Sequence, residues 1–307
     1  MITDELKSEL RLLSLGAAVA ATSRLQSLLK KLDLDYESKA GNRLSLAYQL
    51  SLLDRRQIED LVGPDVSLQL FWEVDSTNRQ VMDCLRPDQT LVCAAELQTA
   101  GRGRRGKHWV SPFARNIYLS VGKVLPVRMA ELGGLSLAIG IEIAQLLQDQ
   151  GCLSLGLKWP NDLLTPEGKL GGILVELGAP GPNGIPVCVG IGLNVVKQLR
   201  GYNSVEQPVA FLSDYISVNR SVLVAEMSQK IIAAMENHSP EAMSRYQSLW
   251  KRFNLFDGRR VQVSAVGGVI EGVDAGIDLQ GHLVLKTADG IEYCNAGEVS
   301  VRPLNVG

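Results

Sequence analysis

Apolar residues recur at helical spacing twice near the start of the chain, at Leu6, Leu10 and Leu13 and again at Leu25, Leu28, Leu29 and Leu32. This periodicity predicts two short helices within residues 5–33, the second capped by Thr22-Ser23-Arg24. DLDYESKAGNRLSLAY then alternates on either side of a Gly-Asn turn, which predicts a small hairpin, and Gly63-Pro64 closes the segment. From residue 65 the pattern turns to β-rich apolar runs at 68–74, 90–96, 116–125, 154–159, 171–177 and 185–193. Amphipathic helices are expected over 131–149, 221–237 and 240–253. Beyond residue 255, RRVQVSA, GVIEGVDAG, HLVLKT and IEYCNA read as short strands at tight spacing with glycine turns. The patterns predict an α+β chain in three parts: a small segment over 1–64, a central domain on a mixed β-sheet over 65–254, and an SH3-like β-barrel over 255–307.

Composition narrows the chemistry. A chain with 46% apolar and 21% charged residues is expected to be soluble and globular. A net charge of −2 exerts no general pull on nucleic acid or an anionic membrane, so any attraction for phosphate must be local. MITDELKSEL lacks the features of a signal peptide, and LLSLGAAVAA is too short to span a bilayer, so no membrane partner is expected. Five cysteines, an odd count with no C-x-x-C, point to reduced thiols and a cytoplasmic location. With only His108, His238 and His282 present, a histidine triad or multi-histidine metal site is nearly excluded.

The stretch GRGRRGKHW (101–109) spells two phosphate-loop patterns at once. Gly101, Gly103 and Gly106 give G-x-G-x-x-G, and Gly101 to Lys107 give G-x-x-x-x-G-K, with His108 in place of the hydroxyl. Both patterns work only when a helix begins directly after the glycines and aims free N–H groups at phosphate. Here HWVSPFARNIYLS carries Pro112 and runs into another strand, so neither applies. What remains is a mobile cationic loop at a strand end. Its glycines allow close backbone approach, and its guanidiniums offer planar forks for carboxylate and phosphate oxygens. Taken alone, a solvated basic turn explains it equally well.

Four other strand ends change that balance: EVDSTN (73–78), LKWPND (157–162), GKLGGILVEL (168–177) and VGIGLN (189–194). Each has an ordinary explanation as a helix cap, a turn or a hairpin. Polar residues gathered at strand ends are nevertheless how an α/β sheet builds a binding site. The succession DSTN, Q-x-x-GRGRRG-x-x-W-x-SP, KWPNDL, KL-x-GIL-x-E and G-x-G-x-N, across residues 71–195, resembles the biotin protein ligases of the bacterial bifunctional ligase and biotin-operon repressor type.

That resemblance implies ATP-dependent activation of biotin to biotinyl-5′-AMP and pyrophosphate. Transfer to a lysine of a biotin carboxyl carrier protein domain follows. ATP, Mg²⁺ and biotin are the expected small molecules, with no tightly bound prosthetic group. By the same resemblance Ser76, Thr77, Asn78 and Gln98 would line the ureido end of the biotin pocket. Gly101, Arg102, Gly103 and Arg104 would fold over the biotin tail and new phosphate, and Lys169 would hold the carboxyl oxygens, making Lys169, Arg104 and Arg102 the catalytic group. Arg104, Arg105, Trp109, Lys158, Asn161, Asp162 and Asn194 would meet ATP, with Trp109 under adenine and Asp162 on Mg²⁺.

The family's repressor branch also implies an N-terminal winged helix, a DNA operator and pairing of two copies through the sheet edge. Residues 22–46 fit a recognition helix and wing, yet LLSLGAAVAA is too short for the helix that should precede them. Basic and acidic residues also balance over 1–63, whereas operator binding needs phosphate neutralisation. A degenerate winged helix capping the catalytic domain is the expectation, with a working repressor as the alternative. A lipoate or octanoate transferase is the more distant alternative.

Overall fold

Thr3 and Thr22 start the first two helices by accepting hydrogen bonds from the backbone N–H groups of Leu6 and Leu25. In the computed structural model, which describes residues 2–197, 202, 205, 207–265, 268–296 and 300–304, these helices are α1 (Asp4–Ser14) and α2 (Ser23–Lys31). Between them lies only the two-residue strand β1 (Val19–Ala20), which pairs with the hairpin β2 (Tyr36–Lys39) and β3 (Arg43–Leu46). Leu10, Leu13, Leu25, Leu29 and Leu44 form its core, which also takes in Phe113 and Ala114 from the central part. Trp72 stacks on Phe113 with centroids 5.9 Å apart.

Helix α3 (Arg55–Val62) was not expected. Only Ile58 and Val62 are buried in its eight residues, too few apolar positions to display a period. Both side chains join the large central core and not the N-terminal one.

The central part follows as β4 (Val66–Phe71), α4 (Thr77–Cys84), β5 (Thr90–Ala95), β6 (Ile117–Leu125), α5 (Leu135–Asp149), β7 (Gly156–Lys158), β8 (Asp162–Thr165), β9 (Gly168–Leu177), β10 (Ile185–Leu193), α6 (Arg220–Glu236) and α7 (Pro240–Phe253). The seven strands form one mixed sheet in the order β4-β5-β6-β10-β9-β8-β7, with β4 and β5 parallel and the other pairs antiparallel. Pleating sends alternate residues to opposite faces. Leu91, Cys93 and Cys188 therefore pack with Val81 of α4, while Val92, Ala94 and Val189 join the core under α5 and α6.

The helix expected over 131–149 is interrupted. Gly134 adopts a left-handed φ of 76°, so a 3-10 turn over Met129–Leu132 precedes α5 instead of continuing into it. Met129–Asp149 is long and apolar enough to cross a membrane by composition, but Leu135, Ile139, Ile143 and Leu147 are all buried in the core.

The last part is an antiparallel sheet of β11 (Arg260–Ala265), β12 (Gly268–Ile277), β13 (Leu283–Lys286), β14 (Ile291–Cys294) and β15 (Ser300–Pro303). Their order is β14-β13-β12-β11-β15, and β15 was not expected from the pattern. Leu255 N–H donates to the Leu157 carbonyl at 3.0 Å, and Trp159 Nε1 donates to Gly281 O at 3.1 Å. These bonds set the last sheet against the β7–β8 turn.

A buried ion pair fastens the join between the first two parts. Arg220, 2% exposed, donates to Glu96 Oε2 at 2.8 Å, Asn116 O at 2.7 Å and Ser51 O at 2.6 Å. Glu96 in turn accepts from the Leu53 N–H. The charges are fully hydrogen-bonded, as burial requires.

Candidate active site

Strand direction decides where the polar residues meet. β5 and β10 end where their antiparallel neighbours β6 and β9 begin, as the register pairs Ala95–Tyr118, Leu193–Ile117 and Leu193–Gly171 record. The Thr77-Asn78 start of α4, Gln98, Asn194, Lys169 and the β7–β8 turn thus open on one rim of the sheet. Two glycines of β10 clear the space above it. A Cβ at Gly190 would lie 1.9 Å from Asn78 Oδ1, and one at Gly192 would lie 2.3 Å from the Trp109 ring.

One end of the rim is neutral and polar. Ser76, Thr77 and Asn78 are 3%, 3% and 5% exposed. Gln98 Oε1 accepts from the Thr77 N–H at 2.9 Å, and its Nε2 donates to Ser111 Oγ at 3.2 Å. Ser111 Oγ donates to the Trp109 carbonyl at 3.0 Å. Asn78 Nδ2 donates to Leu174 O at 3.3 Å and to Glu176 Oε2 at 2.8 Å.

The other end is cationic. Lys169 Nζ pairs with Asp162 Oδ1 at 2.6 Å, and Lys169 also lies 5.7 Å from the Trp109 ring centre. Burial lowers the pKa of the Lys158 ammonium, with Asp162 opposing and Lys169, Arg302 and Lys107 reinforcing. Asn161 Nδ2 donates to Ile173 O at 2.7 Å while its Oδ1 accepts from Arg104. Asn194, 2% exposed, donates from Nδ2 to Lys169 O at 3.2 Å and accepts at Oδ1 from Asn116 and Tyr202. Tyr202, with its hydroxyl pKa pushed up to about 12 by burial, stays a donor.

GRGRRGKHW folds back on itself as a tight hairpin. Gly103 N–H donates to Lys107 O at 2.7 Å and Trp109 N–H to Gly101 O at 2.9 Å, and Arg102 pairs with His108. At the tip Arg105 has φ 59° and Gly106 φ 69°, and no α-helix follows. Arg102 Nη2 reaches Glu176 Oε2 at 2.9 Å. Arg104 Nη1 donates to Asn161 Oδ1 at 3.0 Å, and its other terminal nitrogen donates to the carbonyl of Ala296 in the last sheet. Burial lowers the Arg104 pKa, against the pull of Asp162. Arg105 at the tip and His108 opposite Arg102 are both exposed.

Three groups at this rim were not assigned a role from the sequence: Glu176, Ser120 and Asn116. Each is a polar residue in or beside an apolar strand, a visible signal whose partner only the register discloses. Trp109 Nε1 is buried without a hydrogen-bond partner among the described residues, packed close to Gly192 of β10.

The fold and this two-ended rim define a ligase of the biotin and lipoate type. The model of the biotin/lipoate A/B protein ligase family matches residues 72–195, and that of the biotin protein ligase C-terminal domain matches residues 258–302. The bifunctional ligase/repressor BirA of Salmonella typhimurium is 34% identical over 290 residues, which are 94% of this chain and 90% of that protein. The biotin–[acetyl-CoA-carboxylase] ligase of Mycobacterium tuberculosis is 33% identical over 80% of this chain and 95% of its own. The structure of biotin protein ligase from Aquifex aeolicus in complex with biotin and ATP shares the fold, with a TM-score of 0.65 at 24% identity over 78% of this chain and 99% of that one. The chain belongs to the biotin protein ligase family.

Proposed function

We propose that this protein joins biotin to ATP, forming biotinyl-5′-AMP and pyrophosphate, and then passes the biotinyl group to a lysine of a carboxyl carrier protein domain. The observation that carries this reading is the two-ended rim. Biotin has a neutral polar ring at one end and a carboxylate at the other. The Thr77, Asn78 and Gln98 cluster suits the ring, and Lys169 with Arg104 and Lys158 suits carboxylate and phosphate. Trp109 adjoins both, through Ser111 on one side and Lys169 on the other.

In the first step a biotin carboxylate oxygen attacks the α-phosphorus, and the bond to the β-phosphate bridging oxygen breaks. In the second the carrier lysine amine attacks the biotinyl carbonyl, AMP leaves with the C–O electron pair, and the new amide nitrogen loses its proton to solvent. Two anions must meet in the first step, so cancelling repulsion and aligning reactants are the main tasks. Lys169 exchanges its Asp162 partner for the biotin carboxylate. Arg102 and Arg104 lie over the tail and the new phosphate, backed by the Gly101–Gly103 backbone. Lys158, Arg105 and Asn161 serve the ATP phosphates, Trp109 gives adenine an apolar face, and Asn194 supports Lys169 through its carbonyl. Among the described residues no group of three acidic, histidine or cysteine side chains is placed to hold a metal. A single carboxylate, Asp162, nonetheless suits Mg²⁺, because that ion takes most of its oxygens from water and substrate phosphates. Bound there, it would neutralise phosphate charge.

The C-terminal match favours biotin over lipoate or octanoate. We read the last sheet as SH3-like, its Ala296 carbonyl holding Arg104 over the rim. The names of the bifunctional relatives favour a second reading, repression at a DNA operator. Against it, no helix lies between α1 and α2, and Arg24, Lys31 and Lys39 are paired with Glu5, Glu73 and Glu37. We therefore read residues 1–64 as a degenerate winged helix packed on Phe113 and Trp72. Biotin-dependent pyrophosphate release from ATP tests the enzyme, and its absence with biotin but presence with lipoate would overturn the assignment. A gel shift on a two-half-site operator, with and without biotinyl-AMP, tests the repressor.

A further inference from the structure

Glu176 sits on β9, paired with Cys188 of β10, and one of its oxygens serves two partners. Oε2 accepts from Asn78 Nδ2 at 2.8 Å and from Arg102 Nη2 at 2.9 Å. It thus joins the neutral end of the rim to the arginine hairpin.

The hydrogens along this connection can be ordered by elimination. Asn78 Nδ2 faces two acceptors, Glu176 Oε2 and Leu174 O, so its amide oxygen must face Ser120. Ser120 is fully buried, 2.6 Å from Asn78 Oδ1 and 2.7 Å from Thr77 Oγ1. A hydroxyl has one hydrogen, and an amide oxygen has none to give. Ser120 therefore donates to Asn78 and receives from Thr77. Gln98 Oε1 also lies within reach of the Thr77 hydroxyl, at 3.2 Å, but it already accepts from the Thr77 N–H at 2.9 Å, and the 2.7 Å contact to Ser120 is the shorter and stays unmade unless Thr77 supplies the hydrogen. With its hydrogen committed to Ser120, Thr77 Oγ1 presents only lone pairs to the rim.

We infer that Glu176 is a positioning residue which, through Asn78 and Ser120, makes the Thr77 hydroxyl an acceptor for a ureido N–H. The same carboxylate holds Arg102 of the hairpin beside that pocket end. The inference rests on the reading of this rim as a biotin site. Without the carboxylate the Asn78 amide loses its shorter, charge-assisted partner and is held only by the 3.3 Å bond to Leu174 O, which weakens the hold on its orientation. Ser120 is then released to donate to Thr77, and Thr77 turns its hydrogen outward, where it opposes the N–H of the ring. Polar ends are unforgiving of this, because a buried donor facing a donor leaves both unsatisfied.

The test is biotin-dependent pyrophosphate release by the full-length protein, with Michaelis constants for biotin and ATP measured separately. Glu176→Ala is expected to raise the biotin KM about tenfold, the worth of roughly one well-placed hydrogen bond, while the ATP KM moves less than about twofold. Glu176→Gln keeps an oxygen that accepts from Asn78, so its biotin KM should stay within about threefold of wild type. Thr77→Val should raise the biotin KM by itself but add less than about twofold in the Glu176→Ala background, since the acceptor is already lost. An unchanged biotin KM in Glu176→Ala, fully multiplicative effects in the double variant, or equal rises in both Michaelis constants would each overturn the inference. Wild-type protein inert towards biotin overturns the functional reading and this inference together. An active wild type with an indifferent Glu176→Ala overturns this inference alone.

Discussion

Removing Lys169 tests the cationic end of the rim most directly. Its ammonium lies 2.6 Å from Asp162 Oδ1, with the two side chains 17% and 15% exposed. At that distance the gross attraction is ~6 kcal/mol for an effective dielectric of ~20. Desolvation cancels much of it, leaving a net ~1.5–3 kcal/mol for a charge-assisted hydrogen bond. Lys169→Ala should therefore fold, with Asp162 regaining contact with water. The larger effect should fall on adenylation. Loss of a preorganised group aimed at developing charge costs ~2.7–4 kcal/mol, or roughly 10²–10³ in rate. Arg104 and Lys158 remain for the phosphates, so the ATP KM should change by less than about threefold, as expected for loss of an interaction specific to the transition state. The assay is continuous pyrophosphate release at saturating biotin and ATP. A rate within about threefold of wild type would refute the role given to Lys169.

Three further perturbations have defined outcomes. Arg104→Gly removes the bonds to Asn161 and Ala296, so the adenylate should escape and bystander proteins become biotinylated; labelling confined to the carrier, at wild-type selectivity, contradicts this. Arg220→Ala leaves Glu96 buried with its charge uncompensated, at an expected cost of ~3–5 kcal/mol, read as a lower urea midpoint; a midpoint equal to wild type contradicts it. His238 donates from Nε2 to Gly133 O at 2.9 Å, and burial lowers its pKa below the ordinary 6.5. As pH falls through 6.5 the unfolded chain takes up the proton before the folded one, so stability declines below that pH and is retained above it. His238→Gln should flatten this part of the urea-midpoint profile, and an unaltered slope would show that another group is responsible.

The elements legible in the sequence were those long enough to show a period or an alternation. Leu25, Leu28 and Leu29 announced α2, and the apolar runs at 116–125 and 185–193 announced β6 and β10. The helix α3 and strands β8 and β15 are short, and two of them find their partners far away in sequence: α3 packs on the core beside α6, and β15 pairs with β11. The break before α5 depends on one left-handed glycine within an otherwise helical pattern. At the site, Thr77, Arg102, Arg104, Asp162 and Lys169 stood out because polar clusters ended apolar runs, whereas Gln98 entered only through the family resemblance. Ser120 did not stand out, being a single polar residue inside such a run; Glu176 was visible only as the last residue of KL-x-GIL-x-E, with no role, and the Ala296 carbonyl carries no side-chain signature at all.

The sequence by itself determined most of the strands and helices, with α3, β8, β15 and the break before α5 excepted, and which polar residues sit at their ends. Local propensity, periodicity and glycine placement act within a few residues and can be read there. The tertiary structure decided which ends share a rim, because strand order and register are set by burial of whole faces across the chain. It also decided the pairs that no spacing discloses: Lys169 on Asp162, Arg104 on Ala296, and Glu176 on both Asn78 and Arg102. Hydrogen bonds and charges act over a few ångströms, so their effect is fixed only when packing has chosen the neighbours.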